Sequence, residues 1–469
     1  MSTSRTFINR VIGFSLASWA NCLITLVATP ITTALFAPEE LGKIALFVSY
    51  ANILIPFIYF GYDQAYMRFY NEPIGTSTKE AMYKLCCNIM LLLSFFVSIV
   101  VLVFWKYFST SIIGYPSIII TASLVLYVVA SLFSRMCNLK SRMDNNVKLF
   151  CIQSIVSTII IKVSFVVVVV MKPAAEYAIP ARSILLFAVF VLFFLFSYRQ
   201  CRGVVDFSKE TMTELSKFAV PLFPTIFLAM LSVSLSQIML RRYVSFELMG
   251  IYANAITISS LISIVQFGLG SFWTPFVFEY YKDQKIIQKT QGIIVIVLLT
   301  MAFLLLMTQD LVYYILVDES YWGSKAIIAF LLISPVCDSL SETMGLGIEL
   351  SKKTYLKLPV YIVSILVNVV GCITLIPRYG LLGAALAYAF TAISMLVVKS
   401  VVGEHYYRCC SNYFKLVVSM IILSVAGVIN YFFHQYIILY AVIALLCIIL
   451  MYRSEFFILL DNLKKYVKK

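Results

Sequence analysis

Long apolar runs recur along the whole 469-residue chain, and they constrain its fold more than any other feature. Each run has roughly 17–25 residues, the length that an α-helix needs to cross a bilayer. Hydrophobic residues make up 62% of the sequence and charged residues 12%, with a mean hydropathy of +0.95. A soluble domain carries about 25% charged residues. One soluble core cannot hide so much apolar surface, so we predict an all-α, multi-pass membrane protein.

The hydropathy pattern predicts fourteen spans. Their approximate bounds are 11–36, 42–66, 85–107, 117–136, 149–171, 181–200, 218–240, 249–276, 292–316, 326–350, 358–376, 381–402, 414–433 and 436–452. The eighth span is longer than a bilayer requires, so we expect it to be shorter or tilted. Only His434 and Gln435 separate the last two spans.

The distribution of basic residues predicts the orientation of these spans. With a cytoplasmic N-terminus, 27 of the 36 Lys and Arg residues fall on the cytoplasmic side and eight on the other side. Cytoplasmic loops of membrane proteins carry this excess of positive charge. We therefore predict that both termini are cytoplasmic. The net charge of +14 then reports topology, together with attraction of the basic tail to anionic lipid, and calls for no nucleic-acid partner.

A short motif occurs twice, about two hundred residues apart. It reads E-E-L-G-K-I-A around Gly42 and F-E-L-M-G-I-Y-A around Gly250. Each copy continues with an Ala-Asn pair and then a further glycine. Two copies at the head of two similar halves indicate an internal repeat of several helices. In membrane transporters such repeats flank a central pathway.

No loop is long enough to form a separate domain. The longest connection, 199–217, divides an N-terminal lobe at 1–198 from a C-terminal lobe at 218–403, and 404–469 holds the last two spans and the basic tail. The sequence contains no GxxxxGK[ST] phosphate loop and no assignable Ser/His/Asp or Cys/His set. We therefore expect no catalytic residue, resident metal or cofactor, which argues against a polysaccharide polymerase or an acyltransferase.

Polar residues form a stripe on the first helix of each proposed half. At helical spacing, Asn21 and Thr25 share one face of the first span, and Ser232 and Ser236 share one face of the seventh. Such residues either hydrogen-bond between helices or line a wet cavity. On the second interpretation we predict that these four residues bind substrate.

Three acids share one face of the tenth span. Asp338, Glu342 and Glu349 stand at positions i, i+4 and i+11, within 40° of one another, and Gly345 shares that face. Asp338 lies near the predicted midplane, where a charge is costly and marks a functional site. We predict that Asp338 and Glu342 couple transport to H⁺ or Na⁺. Glu349 is interpreted as a solvated flank, and a structural salt bridge is the alternative for the other two.

Lys162 lies in the middle of the fifth span. It either faces a cavity that accepts anions or pairs with an acid across the bundle. Arg68 and Arg241 lie at span ends, where long cationic side chains reach toward the interface. We name all three cations as candidate substrate-binding residues.

Three stretches, taken together, resemble one family. They are PRYGLLGAA at 377–385, GLGIELSKKT at 345–354, and 61–69, which ends in Met-Arg-Phe. They are similar to motifs at the start of span 12, the end of span 10 and the end of span 2 of Wzx-type O-antigen and capsular polysaccharide flippases. These belong to the exporter superfamily that also holds multidrug extruders and the lipid II flippase.

This resemblance implies two six-helix lobes around a central cavity, with two additional C-terminal helices. It implies alternating access in the bacterial cytoplasmic membrane, with an undecaprenyl-pyrophosphate-linked oligosaccharide as cargo. In the fourteen-span lipid II flippase the extra helices are associated with a lipid-tail groove. A polysaccharide polymerase and a chain-length regulator are expected partners. The alternatives are a cation-coupled multidrug antiporter of the same fold and a lipid II flippase.

Overall fold

The computed structural model of the chain describes the backbone at residues 2–72, 74, 77–169, 172–201, 209–263, 266, 273, 276–351 and 353–458. It describes the side chains of the same residues except 2–15, 165–169 and 354. Every regular element in these ranges is an α-helix or a short 3₁₀-helix. The predicted all-α class is therefore confirmed.

The chain divides into two compact units. The first contains Met1–Arg241 and Ser245–Gly250, and the second contains Arg242–Val244 and Ile251–Lys469. The predicted lobe boundaries at 198 and 218 stay a prediction.

The helices of the first part of the chain follow the predicted spans closely. They are α1 (Ser2–Leu35), α2 (Pro38–Tyr59), α3 (Tyr62–Phe69), α4 (Lys79–Val103), α5 (Trp105–Ile113), α6 (Ile118–Met143), α7 (Val147–Val169), α8 (Ala175–Gln200), α9 (Lys209–Arg241) and α10 (Phe246–Ser259).

The second part of the chain contains eight further α-helices in its described residues. They are α11 (Gln284–Met307), α12 (Gln309–Leu316), α13 (Ile328–Leu331), α14 (Ile333–Met344), α15 (Leu346–Leu350), α16 (Lys357–Tyr406), α17 (Tyr413–Phe432) and α18 (Ile437–Met451). Four 3₁₀ segments lie at Ser260–Ile262, Glu319–Ala326, Thr354–Leu356 and His434–Tyr436.

Within the described residues, eleven helices are long and apolar enough to cross a membrane, or twelve if one bent pair is a single span. That pair joins Glu319–Ala326 to Ile328–Leu350 at an angle of 64°, where the tenth span was predicted. Much of the predicted eighth span lies outside the described residues, beyond Ser263. The count of fourteen stays a prediction.

The 50-residue helix α16 is two antiparallel helices, because its backbone leaves the helical region at Gly380 (φ 53°, ψ −121°). The Asn368 amide donates to the Thr391 hydroxyl at 2.9 Å. A Cβ atom on Gly383 would stand 2.2 Å from the Leu375 carbonyl oxygen. Contacts between residues equally far from Gly380 require the two halves to lie side by side. They match the predicted spans 358–376 and 381–402.

A sharp break separates α2 from α3. Phe60 and Gly61 both take positive φ angles, 43° and 83°, and a Cβ atom on Gly61 would stand 2.4 Å from the Ala219 carbonyl oxygen. The break buries Asp63 in the first turn of α3, with 4% of its side chain exposed. Its Oδ2 atom accepts bonds from Arg135 Nη2 (2.8 Å), Arg135 Nε (3.1 Å) and the Gln64 amide (3.0 Å). A buried ion pair thus connects α3 to α6.

Candidate functional site

The polar stripe of α1 connects this helix to α7. The Asn21 side-chain amide donates to the Ser154 hydroxyl at 2.8 Å, while the Asn21 Oδ1 atom is buried without a hydrogen-bond partner among the described residues. The Thr25 hydroxyl donates to the Asn21 carbonyl oxygen in its own helix at 2.9 Å. The stripe therefore supplies both an interhelical bond and a buried acceptor that is still available.

Lys162 lines a cavity of about 370 Å³ between α1 and α7. The other lining residues are apolar, namely Leu23, Ile24, Val27, Ala28, Ile31, Ile159 and Val163. No carboxylate in the described part of the chain forms an ion pair with Lys162. An ammonium group in such surroundings is costly unless an anion accompanies it.

Arg182, which sequence reasoning placed in an outer loop, is the second buried cation of this unit. It lies inside α8 with 5% of its surface exposed. Its Nη2 atom donates to the Tyr127 hydroxyl at 3.0 Å, and its Nε atom is buried without a partner among the described residues. Its charge acts on Lys162 across α7 and α8. The signal was available, because the apolar run around Arg182 begins before residue 181.

The other two candidate cations lie at helix ends. Arg68, in the last turn of α3, is 52% exposed and forms an ion pair with Glu72 at 3.1 Å. Arg241 ends α9, and its guanidinium lies 3.9 Å from the centre of the Phe246 ring. The structure does not show either residue beside Lys162, and their role in substrate binding stays a prediction.

The hydroxyl stripe of α9 is buried. Ser232 is 8% exposed and Ser236 is 1% exposed. The Ser232 hydroxyl donates to the Leu228 carbonyl oxygen at 2.9 Å, within its own helix. Nearby, the Gln237 Oε1 atom accepts from the Ser49 hydroxyl of α2 at 2.6 Å. Side chains of this helix thus hold helices together as well as offering lone pairs.

Asp338 and Glu342 stand one turn apart on α14, as their spacing predicts. The Ser334 hydroxyl, one turn earlier, donates to Asp338 Oδ2 at 3.2 Å. Glu342, 56% exposed, accepts Lys399 Nζ at 2.5 Å. Lys399 lies on the second half of α16 and is buried. Sequence reasoning missed it because it lies near the cytoplasmic end of the predicted twelfth span and was counted among the flanking charges.

Glu349 has its own partner. Its Oε1 atom accepts Lys357 Nζ at 2.8 Å, and the two side chains are 34% and 26% exposed. This acid is thus neutralised separately from Asp338 and Glu342. The ion pair is a partly solvated one, for which measured stabilisation is about 0–1 kcal/mol.

An apolar groove of about 700 Å³ lies between the second half of α16 and α17. Aliphatic side chains dominate its wall, including Leu396, Val397, Leu416 and Ile421. Polar residues gather where the two helices are joined, and there the Glu404 carboxylate accepts the Tyr413 hydroxyl at 2.6 Å. The groove has the chemistry of a site for a hydrocarbon chain.

Comparison with known proteins supports a transporter. A family model described as "Polysaccharide biosynthesis protein" matches residues 9–281, more than half of the chain. A sequence comparison with curated proteins finds no significant match.

Among solved structures, the fold is similar to a lipid II flippase MurJ in an inward closed conformation. The TM-score is 0.64 at 15% identity, over 94% of this chain and 99% of that one. It is also similar to the MATE multidrug transporter DinF-BH, with TM-score 0.60, 14% identity and coverage of 86% and 95%. An inward-facing MATE transporter of the MOP superfamily gives 0.59, 13%, 82% and 94%. At these identities the likeness shows the fold, which is that of a multi-pass membrane transporter.

Proposed function

Since the chain belongs to the polysaccharide biosynthesis protein family, we propose that it is a flippase for undecaprenyl-pyrophosphate-linked oligosaccharides. The cargo is a repeat unit of O-antigen, capsule or a similar glycan, moved from the cytoplasmic to the outer leaflet. The protein resides in the bacterial cytoplasmic membrane with both termini in the cytoplasm. It works as a carrier by alternating access, without a catalytic residue.

The observation that carries the proposal is the pair of cations formed by Lys162 and Arg182. Both lie inside the first unit, and their charges act on each other. No described carboxylate forms an ion pair with either of them. Two like charges repel strongly away from bulk water, and a bound dianion relieves the repulsion. The pyrophosphate of the cargo has this chemistry, whereas a cationic drug would add a third positive charge.

The rest of the cargo needs two different surfaces. A sugar cannot cross hydrocarbon, because each polar group left without a hydrogen bond there costs several kcal/mol. Asn21 Oδ1 is a buried acceptor of the kind that a sugar hydroxyl requires. Thr25, Ser232 and Ser236 are proposed to add further hydrogen bonds. The polyprenyl tail is proposed to occupy the apolar groove between α16 and α17, or to remain in lipid beside it.

Net movement needs a source of free energy. A carrier only equilibrates a cargo that it binds equally on both sides. We assign coupling to Asp338 and Glu342, with H⁺ or Na⁺ as the ion. Removal of cargo outside by a polymerase, working with a chain-length regulator, would pull transport in the same direction.

The test is deletion of the gene in its native host. Lipid-linked repeat units should accumulate in the inner leaflet and surface glycan should vanish, while sensitivity to cationic drugs stays the same. A plasmid copy should restore the glycan, and a Lys162→Ala copy should not. Surface glycan that persists, together with retention of cationic dyes, would instead identify a multidrug antiporter.

A second assay separates the lipid II alternative. The purified protein is reconstituted in vesicles with either lipid II or an undecaprenyl-pyrophosphate-linked repeat unit. Movement of the repeat unit and not of lipid II is expected. The opposite result would reassign the cargo and leave the carrier mechanism in place.

A further inference from the structure

Lys399 is a buried lysine that the transport scheme above does not use. It is 4% exposed and donates from the second half of α16 to Glu342 of α14. A lysine is almost never buried to this degree unless it is paired. Its position therefore depends on the carboxylate that it meets.

Glycines create the space in which Lys399 lies. A Cβ atom on Gly345 would stand 2.5 Å from Lys399 Cε and 2.8 Å from Lys399 Cγ. A Cβ on Gly347 would stand 2.0 Å from the Gly403 carbonyl oxygen, and one on Gly403 would stand 2.4 Å from the Met344 carbonyl oxygen. The two helical segments therefore approach at backbone distance beside the lysine stem. This close packing aims the ammonium at the acid face of α14.

Two carboxylates face this single ammonium. Lys399 contacts Glu342 directly, and its charge also acts on Asp338. In the described chain Asp338 has no ion pair, and the Ser334 hydroxyl is its hydrogen-bond donor. The acids repel each other, so the cluster carries one uncompensated negative charge. Glu342 is 56% exposed, which leaves it open to an ion from water.

We propose that Lys399 is a tethered counter-cation that competes with the coupling ion for Asp338 and Glu342. When H⁺ or Na⁺ occupies the acids, the Lys399 ammonium leaves Glu342. When the ion departs, the ammonium returns, so the empty carrier never holds two bare carboxylates. This positioning role rests on the ion coupling proposed above. The other charged or titratable groups that act on the two acids are Lys357, Tyr361, Tyr388 and Cys337.

The first test measures ion binding through the thermal unfolding midpoint of the purified full-length protein. Na⁺ is titrated against choline at fixed pH, and pH is then varied in choline without Na⁺. Lys399→Met removes the tethered competitor, so its midpoint should respond at an ion concentration about tenfold lower than in the wild type, or at a proton concentration lower by the same factor. The arm that responds identifies the ion. Lys399→Arg should restore the wild-type response.

Lys357→Met is the matched control, because it removes the lysine of the neighbouring Lys357–Glu349 pair. Its ion response should equal that of the wild type. If Lys399→Met lowers the midpoint equally at every Na⁺ concentration and pH, Lys399 only holds helices together and the proposal is wrong.

A second measurement needs no unfolding-prone variant. The wild-type protein is treated with an amine-acetylating reagent, and modification of Lys399 is quantified by mass spectrometry relative to Lys357. The ratio should rise several-fold with Na⁺ or with falling pH, because the ion releases Lys399, and it should be high in Glu342→Gln throughout. A ratio constant in both arms would overturn the proposal. No cargo is present in either assay, so failure of the cargo assignment is detected separately.

Discussion

Gly42 and Gly250 lie against each other within the first unit: a Cβ atom on Gly42 would stand 2.9 Å from the backbone nitrogen of Gly250. The contact is reciprocal. The Gly42 position faces the Phe246 carbonyl oxygen at 2.0 Å, and the Gly250 position faces the Pro38 carbonyl oxygen at 1.8 Å. Each glycine therefore meets the residue four positions before the other. The two copies of the sequence repeat thus meet at matching positions.

We predict that Gly42→Ala or Gly250→Ala destabilises the protein. Either methyl group must displace a backbone carbonyl, and overpacking of this kind costs about 1–3 kcal/mol. The thermal midpoint in detergent should fall for both variants. Gly323→Ala is the control, because its new Cβ would meet only Ile251 side-chain atoms at 3.8 Å. Equal midpoints for all three variants would show that α2 and α10 separate without loss of stability.

Lys162→Ala should abolish transport while the amount of folded protein stays near that of the wild type. The cavity beside Lys162 is otherwise apolar, so removing the charge costs little stability and removes an anion site. Surface glycan and protein abundance are measured together. Lys217→Ala, which breaks an exposed pair with Glu214, should leave both unchanged. Loss of the protein instead, with rescue by neutralising Asp338 or Glu342, would assign Lys162 to a structural ion pair.

Arg135→Met should destabilise the first unit by leaving the Asp63 carboxylate buried with only the Gln64 amide as a donor. Removing one partner of a buried pair is strongly destabilising. Because Arg135 is 37% exposed, we expect a smaller loss, about 1–3 kcal/mol. A double-mutant cycle with Asp63→Asn measures the coupling by thermal unfolding. Additive effects in that cycle would mean that the pair contributes nothing of its own.

Reporter fusions test the orientation that the basic residues predict. A cytoplasm-active reporter fused after Lys469 should be active. A truncation that ends at Tyr379, beside the α16 turn, should instead give activity of a periplasm-active reporter. If the two results exchange places, the N-terminus is outside. Cytoplasmic signals from both would mean that the number of spans after residue 379 is wrong.

Much of the fold was predictable from the sequence, because an apolar run of bilayer length allows few structures other than a helix. The bounds of α4, α6 and α17 show this. The Gly380 turn was predictable as a boundary between two spans. The bend near Ile327 was not, since the apolar run continues through it.

The candidate site was predictable only in part. The spacing of Asp338 and Glu342 placed them on one helical face, and the structure shows them there. Their partner Lys399 lies 57 residues beyond Glu342. Finding it requires knowing which helices pack together, and periodicity within one helix carries no such information. Arg182 was missed for a simpler reason, because a boundary error of a few residues moved it from a helix into a loop.

The positions of Arg182 and Lys399 have a consequence for the synthesis of this protein at the membrane. Releasing an Arg or Lys at the centre of a helix into lipid costs about 2.5–3.5 kcal/mol. Arg182 of α8 meets Tyr127 of α6, and Lys399 of α16 meets Glu342 of α14. In both cases the acceptor belongs to an earlier helix, two predicted spans before the cation. The ribosome therefore delivers the acceptor first, and each charged helix can leave the translocon against a partner that is already inserted.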